Sequence, residues 1–522
     1  MAMEALRGRK YQLIAVAAIA AVVAAGVVGT LADANKLLPE RYHQHEKAQQ
    51  LADLPEADRA AASGTNTDAA TFASHLPVVS IDTGGQEIPG ELVRDENGKT
   101  IEGEDGRAVV TAAPSGEPSI TASLVAFDAE SQDAVRANRL SDEPEIESSC
   151  LLRIRGNSSR AFDKKNYQIT FVKSDGTDND QEFLGMAKSE TWTLHGPSLD
   201  KTLMRNYLAY GIAGEFMNDY VPDVRYCELF IDGEYQGLYL ATETVKVEDG
   251  RLDLNPADPK SPTTSYVLGI DLTGSGPLTI SDFLRYTLRL SKYMNIEYPN
   301  ATTLTDEQKA WIEQDVSSFE KALFSYDYDT RDYGYANYID VDSFVDSFVW
   351  NEFVINDDFA AYSTYLYKDV RGKLTLGPPW DFNNVFDNYR LATPTDKFYL
   401  VDRAWYFMLF KDEAFTERVI SRYRELRAGA LSEEHLNAYI DETTEYLGPV
   451  VERNFKVWGY LLDAENVSHA QKVEPDERNP RSFDEAIDQL KSFVTERGAW
   501  LDGSIEHLRQ YSHESAVKKF NH

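Results

Sequence analysis

Cysteine is scarce in this chain of 522 residues, which contains only Cys150 and Cys227. Two thiolates are too few for a cysteine-based structural metal site, and the nine histidines show no ligand spacing such as His-x-x-x-His. Each cysteine lies in or beside an apparent strand. Outside a membrane such a pair can form one disulfide, and the other arrangement is two buried thiols. The sequence leaves both arrangements open.

Basic residues are also few. The 52 lysines and arginines stand against 86 acidic residues, which gives a formal charge of -34. Because binding to nucleic-acid phosphates needs clustered cations, this balance argues against nucleic acid as a partner, and we predict none. It fits an acidic surface that faces water or a basic substrate.

A long apolar run extends from Leu13 to Leu31 and follows Arg7, Arg9 and Lys10. Its length is close to the ~20 residues that span a bilayer. Basic residues before such a run stay in the cytoplasm. We therefore predict a single-pass protein of the cell membrane whose C-terminal domain is extracytoplasmic. Residues 32–34 (Ala-Asp-Ala) resemble a signal-cleavage site, so the alternative is secretion after cleavage.

Composition divides the chain into four parts: a cytoplasmic stub with the anchor (1–34), a flexible polar stalk (35–75), a folded domain (76–502) and a C-terminal tail (503–522). Strand signals dominate the folded domain up to about residue 260, and helical periods dominate residues 261–502. The pattern predicts an α+β protein with a β-rich N-lobe and a mainly helical C-lobe.

Three local signals are specific within this domain. Asp232-Gly233 separates the alternating segments 227–231 and 235–242, which predicts a β-hairpin. Apolar residues recur at helical spacing over 200–215, with Asp200 as the expected N-cap. Thr305-Asp-Glu-Gln308 has the form of a capping box before a further helix.

Asp358 and Asp381 flank a second predicted hairpin, in which residues 363–368 and 373–376 are joined by a turn around Arg371-Gly372. Phosphoryl-transfer enzymes use two such carboxylates, one to accept a hydroxyl proton and one to hold magnesium on nucleotide phosphates. Acidic residues also cluster in the loops of any acidic protein. A glycosidase would use the pair differently, with its carboxylates ~5–9.5 Å apart around a sugar.

A polar loop and a candidate cation–acid pair lie in the first lobe. The loop suits phosphate because its backbone N–H groups, hydroxyls and cations can all donate hydrogen bonds, although it is neither a Walker loop nor Gly-x-Gly-x-x-Gly. An ordinary turn with surface cations is the alternative. Arg205 and Glu243 lie on separate elements. They are a candidate pair that positions nucleotide phosphates, and the alternative is an ordinary salt bridge. The loop and its flanking lysines are Arg155, Gly156, Asn157, Ser158, Ser159, Arg160, Lys164 and Lys165.

Taken in order, these segments resemble the CotH family, the spore-coat-protein-H kinases with an atypical, two-lobed protein-kinase-like fold. The resemblance covers roughly residues 76–502 and leaves out the predicted transmembrane helix and stalk. Its motifs are Leu76-Pro-Val-Val-Ser-Ile-Asp82, Arg155-Gly-Asn-Ser-Ser159, Lys164-Lys-Asn-Tyr167, Leu203-Met-Arg-Asn206, Phe230-Ile-Asp-Gly-Glu-Tyr-Gln-Gly-Leu-Tyr239, Ser363-Thr-Tyr-Leu-Tyr-Lys368 and Pro379-Trp-Asp-Phe382.

The resemblance implies phosphorylation of Ser or Thr hydroxyls in a protein substrate, with ATP and Mg²⁺ (or Mn²⁺) as cofactors. It implies that Asp358 is the catalytic acid–base residue and that Asp381 binds the metal. Lys165 is the expected phosphate-contacting lysine, with Lys164 as its rival. The implied nucleotide-binding residues of the first lobe are Arg155, Asn157, Ser158, Ser159, Arg160, Arg205 and Glu243.

Two positions depart from the family pattern. Ser363 stands where members usually carry the asparagine that binds a second metal ion, and Asn383 stands where many carry an aspartate. Both remain candidate metal ligands, and Asn384 is a candidate to compensate. The alternative function is a catalytically weak or inactive pseudokinase that acts as a cell-surface binding or adhesion protein. An extracytoplasmic site, where ATP is scarce, favours that alternative.

Overall fold

The computed structural model describes residues 41–103, 107–271, 278–286, 293–515 and 517. The predicted membrane anchor (13–31) lies outside these residues. Among the described helices, none combines the length and the apolar character that crossing a membrane requires.

The described part of the predicted stalk belongs to the folded unit, which begins at residue 42. Gln44 exchanges two hydrogen bonds with the backbone of Tyr226, at 3.2 and 2.6 Å. Leu54, Ala62 and Phe72 are buried. This differs from the flexible stalk predicted from composition, because scattered apolar residues find partners far along the chain. The helices of this segment are α1 (Gln44–Lys47) and α2 (Glu56–Ala62).

A closed barrel forms the β-rich N-terminal part. Its strand order is β1-β2-β3-β4-β7-β9-β8, and a parallel pairing of β1 with β8 closes it. Every residue of β8 is buried, whereas β2 alternates between buried and exposed residues along most of its length. The strands are β1 (Val78–Asp82), β2 (Ile120–Phe127), β3 (Ile146–Ile154), β4 (Tyr167–Val172), β7 (Thr191–His195), β8 (Val224–Ile231) and β9 (Glu234–Glu243), with β5 (Gln181–Phe183) and β6 (Met186–Ser189) as a separate hairpin.

Both cysteines lie in the hydrophobic core of this barrel. Cys150 and Cys227 are free thiols with no exposed surface. Burial raises the pKa of each thiol to about 12. Of the two arrangements that the sequence left open, the structure has two buried thiols.

Helix α3 (Arg205–Phe216) follows the barrel strand β7 and is buried on nearly all sides. It begins later than predicted, and its N-cap position is Met204 rather than Asp200. Asp200 instead accepts a hydrogen bond from the Arg205 backbone N–H, at 2.9 Å, and so still satisfies a donor of the first turn. The Asp232-Gly233 hairpin is confirmed as β8 and β9, with positive φ at both turn residues.

The C-terminal part combines helices with a four-stranded sheet of order β11-β10-β12-β13. The predicted hairpin between Asp358 and Asp381 is confirmed as β12 and β13, and the capping box at Thr305 is present. The strands β10 and β11 were not predicted. The elements are β10 (Tyr266–Asp271), α4 (Phe283–Tyr286), β11 (Tyr293–Tyr298), α5 (Asp306–Leu323), α6 (Val341–Val354), β12 (Thr364–Lys368), β13 (Thr375–Leu376), α7 (Tyr406–Leu409), α8 (Glu413–Arg427), α9 (Glu433–Leu447), α10 (Pro449–Trp458) and α11 (Phe483–Ser504).

The fold is thus mixed α+β, with a β-rich N-terminal part and a mainly helical C-terminal part. The predicted C-terminal tail (503–522) starts inside α11. A 3₁₀ helix, Ile505–Tyr511, continues it.

Candidate functional site

Asp358 lies in the turn that follows α6. The helix ends where Ile355 adopts a left-handed conformation with φ of 52°. The Asp358 carbonyl then accepts the N–H of Tyr362 at 2.7 Å, which closes the turn. Its half-buried carboxylate accepts a hydrogen bond from Asn384 Nδ2 at 2.8 Å. Burial, together with the negative charge of Asp381, raises the pKa of Asp358 to about 6.

Asp381 follows β13 and has a left-handed backbone with φ of 61°. Its N–H donates to the hydroxyl of Tyr210 at 3.1 Å. Its carboxylate accepts hydrogen bonds from Asn383 Nδ2 and, at 3.4 Å, from Ser363 Oγ. Burial raises the pKa of Asp381, and the positive charge of Arg155 opposes that rise. The β12–β13 hairpin therefore brings the two predicted carboxylates into electrostatic contact.

Helix α3 supports the segment that carries Asp381. Asn206 accepts the backbone N–H of Phe382 at 3.0 Å and donates from Nδ2 to Asn383 Oδ1 at 2.6 Å. Asn206 and Tyr210 are one helical turn apart, so both side chains reach the same loop. The sequence reasoning did not identify either as a site residue. The signal available was weak: Asn206 closes a motif of the family resemblance but has no chemical signature of its own.

The two asparagines after Asp381 have different partners. The side-chain oxygen of Asn383 accepts from Asn206 and its nitrogen donates to Asp381, so in this arrangement Asn383 positions the carboxylate. Asn384 bonds to Asp358. Ser363, with φ of 45°, directs its hydroxyl toward Asp381, and its role as a metal ligand stays a prediction.

Arg155 of the polar loop lies near Asp381. The Arg155 guanidinium lies over the ring of Trp380, 5.6 Å from its centroid, and its charge acts on Asp381. Gly156 has φ of 109°, and a side chain there would lie 2.0 Å from Ser159 Oγ. This glycine therefore lets the loop turn back tightly on itself.

The remaining loop residues form the turn itself. Asn157 precedes a 3₁₀ helix, Ser158–Ala161. Arg160 donates to the backbone carbonyls of Gly156 and Ile154, at 2.6 and 2.8 Å, and so holds the loop in shape. Within the part of the chain that the structure describes, the side chains of Asn157 and Ser158 form no hydrogen bond with another residue. Their predicted nucleotide contacts stay predictions.

The two candidate lysines have different surroundings. Lys164 is fully buried, and its Nζ donates to the Leu238 carbonyl and to Asn454 Oδ1, both at 2.7 Å. Burial lowers the pKa of Lys164 well below its ordinary value. Lys165 is half-buried and donates to Glu91 at 2.8 Å and to the Arg160 carbonyl at 2.9 Å. Lys165 can exchange the exposed Glu91 for a phosphate more readily than Lys164 can exchange its partners, which lie in the protein interior.

Arg205 and Glu243 are not joined to each other by any hydrogen bond or ion pair of the described chain. Arg205 forms a buried ion pair with Asp200 at 2.6 Å. Glu243 accepts the Tyr220 hydroxyl and the Asp223 N–H, each at 2.8 Å. The two side chains therefore have separate partners and do not form the predicted pair.

The donors around Asp381 suit a hard divalent cation bound together with a nucleotide. Asp358, Asp381 and Ser363 offer only oxygen atoms, and Mg²⁺ is usually bound by one or two carboxylates with substrate phosphates and water completing its shell. Among the described residues, neither Asp358 nor Asp381 forms a direct ion pair. The charge of Arg155 acts on Asp381 from a distance, and the donor to Asp358, the Asn384 amide, is neutral. Burial of two carboxylates without a bound cation is costly, so the residues present fit Mg²⁺ or Mn²⁺.

Comparison with known proteins agrees with this geometry. A search of curated proteins found no match. The family model described as CotH kinase protein matches residues 152–501, which is more than half of the chain and includes Arg155, both carboxylates and the helices that follow them. The chain therefore belongs to the CotH kinase protein family, whose members are atypical protein kinases.

Proposed function

We propose that this protein transfers the γ-phosphoryl group of ATP to Ser or Thr hydroxyls of a protein substrate, with Mg²⁺ or Mn²⁺ as the metal. The observation that carries the proposal is the pairing of Asp358 and Asp381 at the two ends of the β12–β13 hairpin. Asp358 has a pKa raised to about 6 by burial, which suits a residue that accepts a proton near neutral pH.

In the reaction, the substrate hydroxyl attacks the γ-phosphorus as its proton passes to Asp358. The new oxygen–phosphorus bond forms as the bond to the β-phosphate oxygen breaks, and ADP leaves. A bound divalent cation would neutralise part of the negative charge on the phosphates. Asp381, with Ser363 beside it, would hold that cation, and Asn206 and Asn383 fix the Asp381 carboxylate.

Arg155 supplies positive charge next to Asp381, where the nucleotide phosphates would lie. Lys165 would exchange Glu91 for a phosphate oxygen, and the loop of Asn157, Ser158 and Ser159 offers hydroxyl and backbone donors. We further propose that the kinase domain lies outside the cell membrane and is attached to it through the apolar run at residues 13–31.

The test is a thermal-shift titration of the purified full chain with ATP, using Mg²⁺ and Mn²⁺ separately. We expect metal-dependent stabilisation that Asp381→Asn abolishes. Asp358→Asn should bind ATP normally but lower turnover by about 10²–10⁴-fold. Asp396→Asn, the same change at an exposed aspartate, is the control. Normal binding and turnover in both site variants would refute the assignment.

A second candidate is a surface-binding protein without kinase activity. Two observations favour it: Ser363 provides a weaker neutral ligand than the usual asparagine, and the Asn383 oxygen is already engaged by Asn206. Folded protein that shows no shift with ATP and either metal would select this function.

A further inference from the structure

A buried histidine in the N-terminal segment has one ring nitrogen without a partner. His45 lies on α1 and is 4% exposed. Its Nδ1 lies 2.8 Å from the hydroxyl of Tyr207. Its Nε2 is buried and has no hydrogen-bond partner. Leaving a buried polar atom unsatisfied costs about 1–3 kcal/mol, so such an atom needs an explanation.

Two carboxylates face that nitrogen. Glu46 Oε1, from the same helix, and Glu442 Oε2, from α9, each lie 3.8 Å from His45 Nε2. This distance is too long for a hydrogen bond. The three ligand atoms lie within 4.8 Å of one another. Both glutamate side chains are about half exposed, at 44% and 55%, so they can adjust toward a common centre.

The second ring nitrogen of His45 has a hydrogen-bond partner outside the group of three, the Tyr207 hydroxyl. If Nδ1 carries the proton and donates to Tyr207, the lone pair on Nε2 points toward the two carboxylates. Histidines that bind metals almost always donate their second ring N–H to an outer partner, and the Tyr207 hydroxyl fills that place.

The neighbouring histidines are engaged elsewhere. Glu215 pairs with His43 Nε2 at 3.2 Å and with His435 Nε2 at 2.8 Å. This carboxylate therefore has two nitrogen partners, in contrast to Glu46 and Glu442, whose contact with His45 is only a long one. Of these three histidines, His45 is the one whose Nε2 has no carboxylate within hydrogen-bonding distance.

We propose that His45, Glu46 and Glu442 form a Zn²⁺ site that links α1 to α9, apart from the kinase site. One nitrogen and two oxygen ligands with an open fourth position match tetrahedral zinc, whereas Mg²⁺ and Ca²⁺ prefer oxygen ligands alone. Tetrahedral bonds of ~2.0–2.2 Å place ligand atoms roughly 3.3–3.5 Å apart. Each His45–glutamate distance of 3.8 Å therefore needs to shorten by about half an ångström. The two glutamate oxygens, which are at most 4.8 Å apart, need to approach each other by up to about 1.5 Å.

The bound ion would fasten the segment after residue 41 to the helical part of the domain. It would do so where that segment enters the folded unit, and it would add to the bonds that Gln44 makes with Tyr226. Zinc that binds only the folded chain raises its stability with increasing zinc concentration.

The test is isothermal titration calorimetry of Zn²⁺ into metal-free full chain. The double variant Glu46→Gln/Glu442→Gln should lose at least about tenfold in affinity, because even loss of an outer-shell partner costs ~10–100-fold. Glu434→Gln removes the same charge at an exposed position on the same helix and should bind as wild type does. Asp381→Asn should also retain this binding.

Circular dichroism of each variant establishes that it is folded. If the double variant is unfolded, the single variant Glu442→Gln takes its place in the titration. Absence of saturable zinc binding by folded wild type would overturn the proposal. So would zinc binding that persists in the double variant and disappears in Asp381→Asn, because the ion would then occupy the kinase site alone.

Discussion

Asn384 donates a hydrogen bond from Nδ2 to Oδ2 of Asp358, at 2.8 Å. It joins the loop after Asp381 to the turn after α6, so the two acidic segments are tied together by a neutral donor. A donor to the ionised form of a carboxylate lowers its pKa, whereas burial raises it. Burial is the larger influence on Asp358, and its pKa is about 6.

The activity of the free enzyme should therefore fall on mild acidification. A general base accepts a proton only when ionised, and the Asp358 pKa is raised from its ordinary value of 3.8 to about 6. We expect kcat/KM to be constant above that pH and to fall about tenfold per pH unit below it. The measurement is the pH profile of kcat/KM at saturating metal. A profile that stays flat down to pH 4.5 would contradict the role of Asp358.

Asn384→Ala should move this midpoint upward. Without the amide donor, the Asp358 carboxylate is less well stabilised, so its pKa rises and activity is lost at a higher pH. At pH 8.5 the variant should retain most of its kcat/KM. Asn218→Ala, at an exposed position, is the control and should leave the midpoint unchanged. Equal loss at every pH would indicate that Asn384 is only structural.

Short-range patterns predicted the centre of this site. The β12–β13 hairpin follows from alternating residues around Gly372, and a hairpin necessarily brings its two flanks close together. The contacts of Asn206 and Tyr210 with the Asp381 loop span 176 and 171 residues, respectively, and no local pattern encodes such a contact. For the same reason the pairing of β10 with β12 was missed.

Composition misled the prediction where burial depends on distant partners. The segment from residue 42 to residue 75 is rich in alanine and polar residues, which is typical of a flexible linker. Its order comes from Tyr226, Tyr207 and Arg453, which lie 130 or more residues away along the chain. The predicted pairing of Arg205 with Glu243 failed for a related reason. Arg205 pairs with Asp200 instead, and Glu243 accepts a hydrogen bond from the Asp223 N–H.

Substitution at Ser363 should change the metal requirement. Ser363 has φ of 45°, a conformation that asparagine tolerates well, so Ser363→Asn should fold without strain and add an amide oxygen beside Asp381. We expect the Mg²⁺ concentration for half-maximal ATP binding to fall several-fold, and Ser363→Ala should raise it. Thermal-shift titration at fixed ATP measures both. Identical midpoints in all three proteins would exclude Ser363 as a ligand.

The stability of the N-terminal segment should depend on one buried ion pair. Arg453 on α10 binds Glu228 of β8 through Nε and Nη2, at 2.9 and 2.7 Å, and both side chains are fully buried. Its Nη1 also donates to the carbonyls of Ala62 and Gly64, at 2.8 and 2.9 Å. Arg453→Met leaves a buried carboxylate without its cation, which should cost about 3–5 kcal/mol in the free energy of unfolding.

Urea unfolding at neutral pH measures that loss. Lys456→Met on the same helix is the control, and it should change stability by less than about 0.5 kcal/mol because Lys456 is exposed. The double variant Glu228→Gln/Arg453→Met should recover part of the loss, since no unpaired charge is left in the interior. The single variant Glu228→Gln completes the comparison. If the double variant loses as much free energy of unfolding as Glu228→Gln and Arg453→Met lose together, the two side chains act independently, which contradicts their pairing.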